Sequence, residues 1–187
     1  LGRLEAMTPA SEPGAALQAI HTREHIEAIA RRYPVSHEVA LTAAGGMITA
    51  VDAVMAGTIH NAFCASRPPG HHALNTGREE GFCFYNHIAI AARHLQRQHG
   101  LERILIVDWD YHHGNGTEAA FYGDPSVLFF STHDVDAYPG TGHASRTGEG
   151  NGKGYNINVP LSCGATDAAI LDAFREQLLP AAHDFQP

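Results

Sequence analysis

Ile104-Leu-Ile-Val-Asp-Trp-Asp-Tyr-His-His-Gly-Asn-Gly116 is the stretch on which the reading of this chain turns. Residues 104–107 are a short apolar run, and such a run bounded by turn signals reads as a buried strand. Polarity then changes abruptly. Asp108, Asp110 and His112 follow at alternate positions, and successive side chains of a strand point to opposite faces. A strand that persisted to residue 112 would gather two carboxylates and an imidazole on one side, with Trp109 and Tyr111 on the other. That is a poor composition for a core and a good one for a divalent metal. Mixed carboxylate and imidazole donors favour zinc or iron over magnesium or calcium, and spacing alone does not choose between the two. Gly114-Asn-Gly116 lets the backbone turn.

Outward from this strand, helices and strands are expected to alternate. Thr22 is placed to cap a helix running to about Tyr33, with Pro34 as its stop, and Ser36 to cap a second helix ending near Gly57. Ala62 to Ser66 reads as a short buried strand. Asn86 is placed to cap a helix closed by Gly100, a short helix is expected over residues 117–122, and strands over 127–131 and 155–159. Thr166 then opens a last helix towards Pro180. The lead-in, residues 1–14, reads as irregular. Alternation of this kind predicts an α/β fold with a parallel sheet covered on both faces, and such sheets place their sites at the carboxyl ends of strands. The reactive residues follow three apolar segments, ending at Ser66, Val107 and Ser131.

Composition narrows the class. The chain has 187 residues, 44% of them hydrophobic, with 19 Gly and 10 Pro, which suits one globular domain rich in loops. A formal charge of -8 argues against direct nucleic-acid binding and is compatible with a cationic substrate. Cys64, Cys83 and Cys163 form neither a disulfide framework nor a C-x-x-C site, and read as the reduced thiols of a cytoplasmic protein. No stretch looks as apolar as the ~20 residues of a membrane span, so no membrane partner is expected. The tandem pair His71-His72, on the turn Arg67-Pro-Pro-Gly, is either a polar surface pair or a general acid/base pair held by a second residue such as Asp108 or Asn115. Phe82 and Tyr138, in Gly-flanked loops, are either core aromatics or the walls of a slot for an extended aliphatic chain.

Four ordered motifs, Arg67-Pro-Pro-Gly-His-His-Ala73, Gly81-Phe-Cys-Phe-Tyr-Asn86, Val107-Asp-Trp-Asp-Tyr-His-His-Gly-Asn-Gly-Thr117 and Tyr138-Pro-Gly-Thr-Gly142, resemble the zinc-dependent histone deacetylase superfamily, which includes acetylpolyamine amidohydrolases and acetoin-utilisation proteins. Asn115, where some members carry Asp, is similar to the class II branch and its bacterial relatives. The resemblance implies an arginase-like three-layer α/β/α fold and hydrolysis of an N-acetyl amide, with an acetyl-lysine peptide or an acetylpolyamine as substrate. It implies zinc ligation by Asp110 and His112, with Fe2+ as the alternative ion. His72 becomes the general base and then acid, His71 its electrostatic partner, Asp108 the holder of His71, and Asn115 the partner of His72. Gly81, Phe82 and Tyr138 line the acyl-lysine tunnel. Structural potassium is implied at backbone carbonyls near Asp108, Asp110, His112, Ser131 and Thr132, with a second set near Phe121, Asp124, Val127 and Tyr155.

The family's Gly-Phe-Asp-Ala-His and Gly-Gly-Tyr segments, which carry the third zinc ligand and the transition-state tyrosine, have no counterpart here, nor has its first N-terminal strand. Residues 1–187 are therefore expected to be one partial deacetylase domain whose parent protein deacetylates while the piece alone does not. The alternatives are a small-molecule amidohydrolase and a non-catalytic module that binds acetylated or cationic ligands. The sequence leaves a homo-oligomer open.

Overall fold

The computed structural model describes residues 6–9 and 13–187. The chain divides into two compact units, Leu1–Gly100 and Leu101–Pro187, and each is built from its own sequence signals. Of the expected irregular lead-in, residues 1–5 and 10–12 lie outside the described residues, and Gly14–Ala19 forms a 3-10 turn.

The first unit is helical. Helix α1 (Arg23–Arg32) starts where Thr22 accepts the His25 backbone N–H at 3.2 Å, as the cap signal predicts. Helix α2 (Pro34–Met55) starts earlier than expected, at Pro34 and not after Ser36. Proline has no N–H to lose in a first turn and its φ suits a helix, so Pro34 both stops α1 and opens α2. Helix α3 (His87–His99) is capped by Asn86, whose side chain accepts the Ala89 N–H at 3.1 Å, and ends on the left-handed Gly100. Ile29, Ala40, Ala44, Ile48, Tyr85 and Ile90 form the core of this unit. Each large apolar side chain buried there contributes about 1.5–3 kcal/mol.

Two expectations fail in this unit. Residues 62–66 carry no strand: Phe63 is 89% exposed, and the apolar run finds neither a core nor a strand partner. Helix α2 is also, by length and composition, apolar enough to cross a membrane, against the expectation that no stretch is. Within the unit it packs on α1 and α3, burying Ala40, Ala43, Ala44, Ile48 and Ala50.

The second unit holds a three-stranded parallel sheet in the order β1 (Ile104–Asp108), β2 (Val127–Asp134), β3 (Asn156–Leu161). The register runs from Ile104 opposite Val127 to Asp108 opposite Ser131, and from Phe129 opposite Asn156 to Asp134 opposite Leu161. Every residue of β2 is buried, as a central strand covered on both faces requires. On one face Phe130 and Val159 pack with Phe174 and Leu178 from the C-terminal helices. On the other lie His113, against Phe129, and helix α4 (Asn115–Phe121), which begins two residues earlier than expected. The last helix is not continuous. Helix α5 (Asp167–Ala173) passes through a π turn, Phe174–Leu178, into helix α6 (Leu179–Phe185). Pro180 explains this: it offers no N–H to the turn before it, and a wider turn re-spaces the ladder.

Replacing Asn86 by Ala removes the α3 cap and is expected to lower stability by about 1 kcal/mol, read as a shift of the denaturation midpoint.

Candidate active site

The sequence-predicted residues divide between the two units. In the second, β1 ends at Asp108, so the alternating face expected through residue 112 does not form as a strand. Residues 109–113 turn away from the sheet, and their amides, which lose the ladder, take carboxylates instead. Asp108 Oδ1 accepts the Asp110 N–H at 3.1 Å, and Asp110 Oδ1 accepts the His112 N–H at 2.8 Å. The second bond folds the His112 side chain back on Asp110, with Nδ1 of His112 3.2 Å from Asp110 Oδ1. Both side chains are about half exposed, at 42% and 50%. Asp110 and His112 thus come together as a two-donor pair at the carboxyl end of β1, and Asp108 serves as the acceptor that shapes the turn. Tyr138 stands edge-on to the His112 ring, at 6.3 Å between centroids. Asn115 is the first residue of α4, its N–H bonded to the His113 carbonyl at 2.9 Å.

Behind the pair lies a buried polar network that sequence reading missed. His113 donates or accepts at Nδ1 with Thr141 Oγ1 (2.8 Å), and His133 bridges Ser131 Oγ (3.0 Å) and the Gly142 carbonyl (3.0 Å). A Cβ on Gly142 would lie 2.4 Å from His133 and 2.6 Å from His113, so only glycine fits. Glu118, in α4, accepts from Arg146, Asn156 and Asn158 at 2.7, 2.9 and 2.6 Å. Burial pushes its carboxyl upward, but these bonds together with His113 outweigh it and hold the group down at about 2. A carboxylate inside a helix gave no sign of this role; its donors are 28 to 40 residues away.

The implied potassium sites fall in this unit. Asp108 and Ser131 are directly paired at the sheet's carboxyl edge. In the second set, the Phe121 carbonyl accepts the Asp124 N–H at 3.0 Å and the Tyr155 carbonyl accepts the Phe129 N–H at 2.9 Å. A carbonyl has two lone pairs, so neither bond precludes a cation.

In the first unit, the His71 and His72 rings lie 4.0 Å apart between centroids with their planes tilted by 45°, and His72 is buried, with its backbone N–H on Cys83 Sγ at 3.4 Å. The turn before them packs so closely that a Cβ on Gly70 would lie 2.8 Å from the Tyr85 carbonyl oxygen. Gly81 and Phe82 form a two-residue turn closed by reciprocal backbone bonds between Glu80 and Cys83 (3.0 and 2.8 Å), and both have positive φ, 53° and 65°. Phe82 is strained there, since a left-handed conformation costs a residue with a Cβ about 1–2 kcal/mol. It is also 73% exposed.

Two neutral histidines of the first unit hold this loop in place. His21 Nε2 accepts the Asn86 N–H (2.9 Å), so its Nδ1–H donates to Asn75 Oδ1 (3.1 Å). His25 Nδ1 accepts the Gly77 N–H (3.0 Å), so its Nε2–H donates to the Phe84 carbonyl (2.9 Å). Burial, with His25 alongside, pushes the His21 imidazole down to about 3, and burial takes His87 to about 4.

The histone deacetylase domain model matches residues 2–187. The chain belongs to the histone deacetylase family. It is 49% identical over 152 residues to histone deacetylase 10, chloroplastic, of Oryza sativa subsp. japonica, covering 79% of this chain and 34% of that protein. It is 44% identical to a histone deacetylase-like amidohydrolase of Pseudomonas aeruginosa over 82% of the chain and 40% of the relative, and 40% identical to the rat polyamine deacetylase HDAC10 over 88% and 30%. The crystal structure of the HDA15 HD domain superposes on the whole chain with a TM-score of 0.91 at 36% identity, and the chain covers 59% of it. The deacetylase-like α/β fold expected from the four motifs is therefore the fold observed, and the chain spans 30–40% of the length of these three relatives.

Two outcomes are expected. First, folding stability falls as pH drops below about 6.5. The folded values of His21 and His87 lie below the ordinary imidazole value, so the unfolded chain binds more protons across that window and protonation favours unfolding. Melting temperatures from pH 7.5 to 4.5 should show this slope, flattened in His21→Gln. Second, Phe82→Gly should be more stable than Phe82→Ala by about 1 kcal/mol in urea denaturation, because only glycine is free of the left-handed penalty.

Proposed function

We propose that the protein carrying this chain hydrolyses N-acetyl amides through a zinc ion held by Asp110 and His112. The observation that supports this reading most is the pairing of Asp110 Oδ1 with His112 Nδ1, 3.2 Å apart and half exposed at the end of a parallel strand. A carboxylate oxygen and an imidazole nitrogen are donors that zinc accepts, with Fe2+ as the other ion this set suits. Catalytic zinc takes three protein ligands, so a further donor completes the site. When bound, zinc polarises an amide carbonyl and lowers the pKa of its water to ~7.

The chain's own residues then have defined tasks. His72 takes a proton from the attacking water and returns it to the leaving amine, the general base and acid role an imidazole most often fills. His71, its ring 4.0 Å away, sets its field. Asp108 and Asn115 supply a carboxylate and an amide of the kind that hold a catalytic imidazole in one tautomer. Gly81 and Phe82, presented by their strained turn, and Tyr138 guide the acetylated aliphatic chain. Potassium at the first carbonyl set, beside Asp108 and Ser131, braces the turn that carries Asp110 and His112, while the second set lies at the amino end of the sheet. A net charge of -8 suits a cationic amine carrier, acetyl-lysine in a peptide or an acetylpolyamine. The relatives named for histone and for polyamine deacetylation support both substrates equally.

The test is release of acetate from an acetyl-lysine peptide and from an acetylpolyamine, side by side. His72→Ala is expected to lower turnover at least ~100-fold with zinc content unchanged. Asp110→Ala and His112→Ala are expected to lower zinc content itself. Turnover that survives His72→Ala, or that is indifferent to zinc, overturns the proposal.

A further inference from the structure

A cluster in the first unit lies outside every residue assigned above. Asp52 is in the last turn of α2, while His94 and His99 are on α3. The Nε2 atoms of both histidines lie 2.7 Å from the same carboxylate oxygen, Asp52 Oδ1. The three donor atoms all fall within 4.8 Å of one another, the one such group of three among the described residues. A carboxylate has about four acceptor positions over two oxygens, yet both imidazoles crowd one of them. Helix geometry alone does not produce this. Five residues of an α-helix turn through ~500°, so His94 and His99 do not share a face by periodicity. His99 is the last helical residue before the left-handed Gly100, and it reaches the carboxylate from the helix end. The histidine side chains are 15% and 25% exposed and the carboxylate 45%. Water therefore reaches the cluster, and His94 also lines a cleft of about 190 Å3 with Pro13, Ala16 and Arg97.

We propose that Asp52, His94 and His99 bind a divalent transition-metal ion of the zinc class, which clamps the end of α2 to α3. Two imidazole nitrogens and one carboxylate oxygen are the donors such ions prefer over magnesium or calcium. Tetrahedral bonds of ~2.0–2.2 Å require donor atoms about 3.3 Å apart, so the side chains open by a few tenths of an ångström from their present 2.7 Å contacts. Solvent supplies the fourth ligand. In the present contacts each Nε2–H donates to the carboxylate; on binding, each ring shifts its proton from Nε2 to Nδ1 and presents the freed Nε2 lone pair to the ion, so a neutral imidazole binds with no net proton released. The site shares no residue with Asp110 and His112 and does not depend on the deacetylase reading.

Equilibrium dialysis against Zn2+ with metal counting tests this in the protein carrying the chain. The double variant His94→Gln/His99→Gln is expected to bind one equivalent fewer than the parent, and to show a smaller zinc-induced rise in melting temperature. In a His112→Ala background, which lacks the ion proposed for catalysis, adding the double substitution is expected to remove one further equivalent, which separates this site from that one. An unchanged stoichiometry in the double variant overturns the proposal. Should that variant lose its helical circular dichroism, Asp52→Asn decides: it keeps both imidazoles, and its zinc affinity is expected to fall at least about tenfold. An affinity equal to the parent's overturns the proposal as well.

Discussion

Amide groups that leave a sheet must find new acceptors, and after β1 they find aspartates. Asp108 takes the amide of Asp110, and Asp110 takes that of His112. The same device recurs where Asp134 receives the Asp136 N–H at 2.9 Å and Asp124 the Ser126 N–H at 2.9 Å. Each of these short acidic side chains takes a backbone N–H two residues on that the ladder leaves free, so they are structural before they are chemical. At β1 one bond serves both ends: the carboxylate that ends the ladder is drawn beside an imidazole. The pair proposed to hold a metal is thus a by-product of closing a strand with acceptors that carry charge.

The network behind the pair makes that turn rigid. Glu118 is a buried charge, which is tolerable only when fully hydrogen-bonded. Arg146, Asn156 and Asn158 supply those bonds and tie α4, β3 and the long loop before β3 into one body. Arg146 also lies over the Tyr122 ring, 4.4 Å from its centroid. On the far side of the same turn, His113 and His133 press on Gly142, so the loop bearing Tyr138 has little freedom at its base.

The first unit solves a similar problem with neutral groups. Its loop of residues 74–86 has few regular backbone bonds, and His21 and His25 each contribute one donor and one acceptor to it. A neutral imidazole is the one side chain that offers a donor and an acceptor on opposite edges of a rigid ring. Holding those rings neutral keeps the loop fixed at neutral pH, and with it the turn on which Phe82 is strained.

Much of this was legible in the sequence because it is local. Thr22, Asn86 and Gly100 mark helix ends by the chemistry of the adjacent turn. The apolar runs at residues 104–107 and 127–131 mark strands by composition, and the four motifs marked the family before any geometry was known. Asp110 and His112 were legible for the same reason, two residues apart on one turn. Three things were not. The run at residues 62–66 looks like a strand, but a strand is defined by a partner, and Phe63 remains in solvent. The alternation through residue 112 looked like one face, but the ladder stops at Asp108. And neither the Glu118 network nor the meeting of Asp52 with His94 and His99 has a local signature, since their members lie tens of residues apart. Sequence determines which groups can bond to their near neighbours; only tertiary packing decides which distant groups are brought together and shielded from water, because burial is a property of the whole chain.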